Sequence, residues 1–220
     1  MSAAPLFLFD CDKTLYAHDS KRRLPALARL GGESEYRIAK DWWEGGFEER
    51  AEAGEWPTAE AYLAEFARVT GARLTLPEWA EARRATMTPI PGAIEALRIA
   101  ATLGTVGLLS NNPAPMAAAF PLLAPEAAAL LGDNVLVSAD LGAKKPSEEI
   151  FERALDRLGG VPSRTFFADD LAENVDGAAA VGITAFHFTG DTDALQSAVR
   201  AFGARWPGGA GPAPTGVVTA

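Results

Sequence analysis

The 220-residue chain has a single cysteine, Cys11, so no disulfide can form within it. No run of lysines or arginines stands out, and the formal net charge is −9. The electrostatic footprint of a nucleic-acid binder is therefore missing. No apolar stretch approaches the roughly 20 residues that span a bilayer. The short apolar run near the N-terminus lacks the cationic leader of a secretory signal. No internal repeat is visible. These absences set the expectation of a reducing, cytoplasmic protein with neither a membrane nor a nucleic acid polymer as partner.

What remains is ordinary for a globular protein. Apolar residues make up 48% of the chain, enough for a real core. The length allows one domain with an insertion, or two small domains. Residues 5–10 form a short apolar run that ends in acid and reads as a buried parallel strand. Similar runs lie at residues 105–109, 134–137, 165–168 and 184–188. Helical patterns separate them at about residues 91–103, 147–158 and 173–181. Strands alternating with helices predict an α/β fold, a Rossmann-like parallel sheet covered on both faces. Polar residues follow several of the strand C-termini, the edge at which open α/β sheets bind ligands.

Residues 17–89 break this rhythm. They contain no convincing strand and show helical patterns near 33–43, 47–53, 58–69 and 76–85. Thr58 and Thr75, each followed by early acids, read as helix N-caps. The expected organisation is a core from residues 1–16 and 90–206 with a helical cap at 17–89. Residues 207–220, rich in Gly, Pro and Ala, are expected to form a disordered tail.

Asp10 and Asp12 stand two apart at a strand end, where a sharp bend lets both carboxylates face one site. Thr14 adds a hydroxyl. Adjacent carboxylates repel unless a cation lies between them, and magnesium suits oxygen ligands and shared phosphate. Alone, this string is also compatible with a calcium loop or a solvated strand end. Ser110 follows the second strand, Lys144-Lys145-Pro146 precedes a helix, and Asp169-Asp170 follows the fourth strand. Each has a plain reading as a cap, an exposed basic pair or a turn. Their joint occurrence at strand-to-helix junctions does not.

Together these segments resemble the haloacid dehalogenase superfamily. Asp10-Cys-Asp12-Lys-Thr14-Leu-Tyr16 resembles its first motif and Leu109-Ser110-Asn111-Asn112 its second. Asp140-Leu-Gly-Ala-Lys-Lys145-Pro146 resembles the third, and Phe166-Phe-Ala-Asp169-Asp170-Leu-Ala-Glu-Asn174-Val the fourth. The segment Gly54-Glu-Trp-Pro-Thr58 is similar to α-glucose-1-phosphate phosphatases. The resemblance implies a magnesium-dependent phosphatase acting on a small phosphorylated metabolite, a sugar phosphate or a nucleotide, as monomer or homodimer. It implies Asp10 as nucleophile and Asp12 as the group that moves the proton. Thr14, Ser110, Asn111 and Lys145 would hold phosphoryl oxygens. The metal would be held by Asp10, Asp12 through its backbone carbonyl, Asp169 and Asp170. A phosphomutase, or an idle binding protein of the same fold, is the alternative.

Other residues read more plainly. Trp42, Trp43, Phe47 and Trp56 read as the insertion's own core, with recognition of a substrate ring as the alternative. Cys11 points away from both acids. Lys13 reads as pointing to solvent or the cap, with an extra cation near the phosphate as the alternative. Tyr16 reads as packing and His18 as a solvated turn, with contact to substrate as the alternative. Arg22 and Arg23 read as a solvated face and His187 as structural.

Overall fold

The structure is a computed structural model that describes residues 4–206. Residues 207–220, and with them the expected tail, lie outside the described residues. Strand β1 (Leu6–Phe9) is fully buried, and its side chains alternate between two cores. Phe7 and Phe9 enter one cluster, Leu6 and Leu8 the other. That alternation is the period of a strand covered on both faces.

The chain leaves β1 through a short ribbon strand, β2 (Tyr16–His18), into a helical insertion. The insertion contains α1 (Arg23–Gly31), then α2 (Glu35–Ile38), which runs into a π-helical stretch, Ala39–Glu44. It continues with α3 (Phe47–Glu52), α4 (Ala59–Thr70) and α5 (Leu76–Arg84). The chain returns through β3 (Met87–Pro89), which pairs antiparallel with β2, His18 opposite Met87. This ribbon corrects the expectation of no strand in residues 17–89. Three-residue strands are too short for alternation to show, and their partners lie at opposite ends of the insertion.

Helix α1 also went unread, because Pro25 and the Gly31-Gly32 pair obscure its pattern. Pro25 sits in the first turn, where a missing N–H costs little. The threonine caps form as expected. The Thr58 Oγ1 accepts from Ala61 N, and Thr75 and Glu78 make a reciprocal capping box.

The core continues with α6 (Pro91–Leu103), β4 (Thr105–Ser110), α7 (Ala114–Ala118), α8 (Phe120–Leu123) and α9 (Pro125–Leu131). Next come β5 (Val135–Val137), α10 (Ser138–Leu141), α11 (Glu148–Leu158) and β6 (Thr165–Asp169). It closes with α12 (Ala172–Ala180), β7 (Thr184–His187) and α13 (Thr192–Gly203). The five-stranded sheet has the order β5-β4-β1-β6-β7, with every pairing parallel. Helix α13 covers one face, where Phe202 meets Phe7 edge-on at 5.5 Å between ring centroids. Phe151 of α11 packs likewise on Phe167 on the other face. After β1, later strands are added first on the β4 side and then on the β6 side. The topological switch therefore falls at the C-terminal end of β1, where ligands bind in such sheets. Among the described residues no helix is long and apolar enough to cross a membrane.

The insertion has its own aromatic core. Trp42 is fully buried, stacked on Phe47 and edge-on to Tyr62 and Phe66. A buried carboxylate, Glu48, sits inside it and accepts from Trp42 Nε1, Tyr62 OH and Arg23 Nη2. Arg23 is thus no solvated cation; it pairs with Glu48 and lies over the Trp43 and Trp79 rings. Arg22 is exposed, as expected, and pairs with Asp19. The insertion also rests on the core. Lys144 Nζ donates to Glu52 at 2.7 Å, and Ser138 Oγ donates to the Glu52 carbonyl at 2.7 Å. At Gly54, with φ +89°, a Cβ would lie 2.7 Å from the Ala139 carbonyl oxygen. Only glycine allows that approach.

Removing one partner of a buried ion pair leaves the others without compensation. Glu48→Ala is therefore expected to destabilise the protein by about 3–5 kcal/mol. Urea unfolding followed by tryptophan fluorescence checks this, and a loss below about 1 kcal/mol would mean that Glu48 is not the centre of the insertion's core.

Candidate functional site

The β1 pairing with β6 extends one step past the strand, where Asp10 N donates to Ala168 O at 2.9 Å. The chain then turns sharply. The Cys11 carbonyl accepts from both Leu15 N and Tyr16 N, and Lys13 takes the left-handed conformation at φ 61°. This turn sends Asp10 and Asp12 to one cavity and buries Cys11 completely between them. Burial pushes the Cys11 thiol up, so it stays protonated and inert.

Lys145 organises the floor. Its ammonium is buried and donates to Asp10 Oδ1 at 2.6 Å, to Asp169 Oδ2 at 2.6 Å and to the Leu109 carbonyl at 2.9 Å. All three of its donors are used. Burial would lower this ammonium's proton affinity, but the two carboxylates outweigh it and raise it. Asp10 responds in the opposite sense. Burial, opposed by Lys145 and reinforced by Asp169 and Asp12, pushes its carboxyl up to about 7. Ser110 Oγ donates to the same Asp10 oxygen at 3.2 Å.

Two asparagines hold this arrangement. The Asn111 side chain accepts from Lys145 N and donates to Lys145 O, both at 2.9 Å, and so pins the loop carrying the lysine. Asn174, in the first turn of α12, donates to both Asp169 oxygens at 3.0 and 3.1 Å. Asp169 also accepts from Leu171 N. Asp170 is half-buried, and burial followed by Asp169 raises its carboxyl. His187 hydrogen-bonds to the Asp170 carbonyl.

Oxygen atoms of Asp10, Asp169 and Asp170 lie within 4.8 Å of one another. With all three acids ionised, three carboxylates and one ammonium leave two negative charges, which a divalent cation would balance. An all-oxygen donor set of this kind suits magnesium, calcium or manganese. The Asp12 side chain stands outside that cluster. Its two oxygens each take a hydrogen bond from Arg83 Nη2 at 2.6 Å. Burial alone would raise the Asp12 carboxyl, but Arg83 and His18 outweigh it and hold it well below the usual carboxylate range.

The cavity of about 150 Å³ brings together Asp10, Asp12, Ser110, Asn111, Lys145 and Asp170, with Lys13, Leu171 and Asn174 completing its wall. Lys13 is exposed but contributes to that wall. Thr14 does not line it; this residue is fully buried, and its Oγ1 has no hydrogen-bond partner among the described residues. His18 is half-buried within 3.4 Å of Asp12 rather than in a solvated turn. Arg83 has no counterpart among the site residues expected from sequence, and Asn174 enters there only as part of the fourth motif. Asn174 carried a weak signal, five residues after Asp169 in the first turn of the next helix. Arg83 carried none, since Arg84 beside it is exposed and the two look alike in sequence.

Three acids that could hold a metal ion and a buried lysine thus meet at the switch point of a parallel sheet. The family profile of haloacid dehalogenase-like hydrolases matches residues 4–182. The chain belongs to that family. A sesquiterpene phosphatase of Aspergillus oryzae is 39% identical over 59 residues, which are 27% of this chain and 30% of that protein. The match thus spans less than a third of that relative's length. A haloacid dehalogenase family enzyme of Bacteroides thetaiotaomicron, solved as a magnesium complex, superposes with TM-score 0.64 at 21% identity, covering 85% of this chain and 94% of that one. A 2-haloacid dehalogenase of Pseudomonas syringae gives TM-score 0.64 at 20% identity, covering 92% and 99%. At these identities the likeness is one of fold.

Lys145 balances two buried carboxylates at once. Lys145→Met is expected to cost about 3–5 kcal/mol of stability, measured by urea unfolding in the presence of a chelator. A variant as stable as the parent would show that Asp10 and Asp169 do not depend on this ammonium.

Proposed function

We propose that this family member is a magnesium-dependent phosphatase that hydrolyses a small phosphorylated metabolite through an aspartyl-phosphate intermediate. The observation that carries the reading is the Lys145 ammonium shared by Asp10 and Asp169 beside a cavity that Asp12 also faces. A second carboxylate at the nucleophile's side favours ester chemistry, because an alkoxide needs a proton on leaving and a halide does not.

In this reading an Asp10 oxygen forms a bond to phosphorus as the ester P–O bond breaks, and Asp12 gives its proton to the leaving oxygen. Water then attacks the acyl phosphate. Asp12 takes the water's proton, phosphate leaves, and Asp10 is regenerated. Asp12 is ionised in the resting arrangement; a phosphate dianion arriving beside it raises its affinity for a proton. Ser110 and Lys145, which line the cavity, would turn donors now given to Asp10 toward phosphoryl oxygens, over which charge spreads in the transition state. Asn111 serves the same end by fixing the Lys145 loop. Bound magnesium supplies further charge neutralisation at the phosphoryl oxygens. Asp10, Asp170 and the Asp12 backbone carbonyl would hold it. The Asp169 oxygens are already engaged by Lys145, Asn174 and Leu171 N, which favours contact through water. Residues 17–89 would act as a cap that excludes water and selects the substrate.

Two experiments test this. Asp10→Asn should abolish phosphate release while leaving circular dichroism and the melting temperature close to those of the parent; retained turnover would sink the nucleophile assignment. Phosphate release from p-nitrophenyl phosphate should need magnesium and stop with chelator. Turnover undiminished by chelation would remove the metal from the mechanism.

A further inference from the structure

We propose that Arg83 is a positioning residue that aims the Asp12 carboxylate at the leaving group. The inference rests on the phosphatase reading of the site. Arg83 is carried by the last turn of α5, in the insertion, yet its side chain is 1% exposed and reaches the β1 loop. Nη2 donates to both Asp12 oxygens at 2.6 Å. Nη1 donates to Thr86 Oγ1 at 2.8 Å and contacts His18 Nδ1 at 2.9 Å. Thr86 Oγ1 in turn donates to the Arg83 carbonyl at 2.7 Å. His18 lies opposite Met87 in the β2–β3 ribbon.

The guanidinium is therefore fixed by groups at the two ends of the insertion. Nη2 alone contacts both Asp12 oxygens, and because Nη1 is held by Thr86 and His18 the planar guanidinium keeps that nitrogen in one place. Arg83 does not line the cavity, so it acts through Asp12, whose side chain is 28% exposed. Stability is a poor reason for the pair. Buried ion pairs contribute little net stabilisation compared with apolar packing, and Lys144–Glu52 already joins insertion to core.

The test compares the parent, Arg83→Lys and Arg83→Met on p-nitrophenyl phosphate and phenyl phosphate with magnesium. Phenolate is the poorer leaving group and depends more on the proton. General acid–base groups contribute about 10²–10⁴-fold. Arg83→Met is accordingly expected to lower kcat about 10- to 100-fold on phenyl phosphate, about threefold on p-nitrophenyl phosphate, and KM little on either. Arg83→Lys keeps the charge without the Nη1 anchoring to Thr86 and His18 and should fall between; if the methionine variant fails to fold, it carries the comparison alone. In an Asp12→Ala background, Arg83→Lys should cause no further loss. Equal losses on both esters, or losses that add to that of Asp12→Ala, would overturn the inference while leaving the phosphatase reading intact. A parent protein inactive on both esters would overturn the two together.

Discussion

A single buried ammonium ties the site together. Lys145 meets Asp10 from β1, the Leu109 carbonyl of β4 and Asp169 of β6. These are the three central strands of the sheet. Carboxylates this close and this dry would repel one another or take up protons. The lysine makes their proximity tolerable, and the two-sided hydrogen bonding of Asn111 to its backbone keeps it in place. The cluster still carries excess negative charge. That imbalance is the physical reason for expecting a divalent cation there.

The second acid is managed differently. Asp12 stands two residues from Asp10 but takes its partner from the insertion, not from the sheet. One loop thus presents two carboxylates in unlike surroundings. Asp10 is pushed up to about 7 by burial, and Asp12 is held low by Arg83. Because Arg83 belongs to α5, the orientation of Asp12 also depends on how the insertion sits on the core. Glu52, Gly54, Ser138 and Lys144 belong to that seat.

Much of this was legible before any coordinates. Strands β1, β4 and β6 were visible as apolar runs ending in polar residues, because a strand buried on both faces cannot hide its composition. Asp10, Ser110, Lys145 and Asp169 stood out because each closes such a run or opens the next helix. The β2–β3 ribbon was not legible, since three-residue strands show no period. Arg23 was misread as solvated because nothing local distinguishes a cation that will meet Glu48 from one that will meet water. Thr14 shows the reverse. Its place in the motif suggested a ligand, whereas its side chain is buried away from the cavity.

The sequence by itself determined the class of sheet, its ligand-binding edge and the residue types gathered there. These follow from short-range pattern: the alternation of strand and helix, and acids placed at strand ends. Only the tertiary structure decided how those groups pair. It gave Lys145 to two carboxylates at once, Asn174 to Asp169, and Arg83 to Asp12 across the boundary between insertion and core. Such pairings join positions far apart in the chain. The free energy that selects them comes from burial and charge compensation in the folded molecule, and neither is visible in a local window of residues.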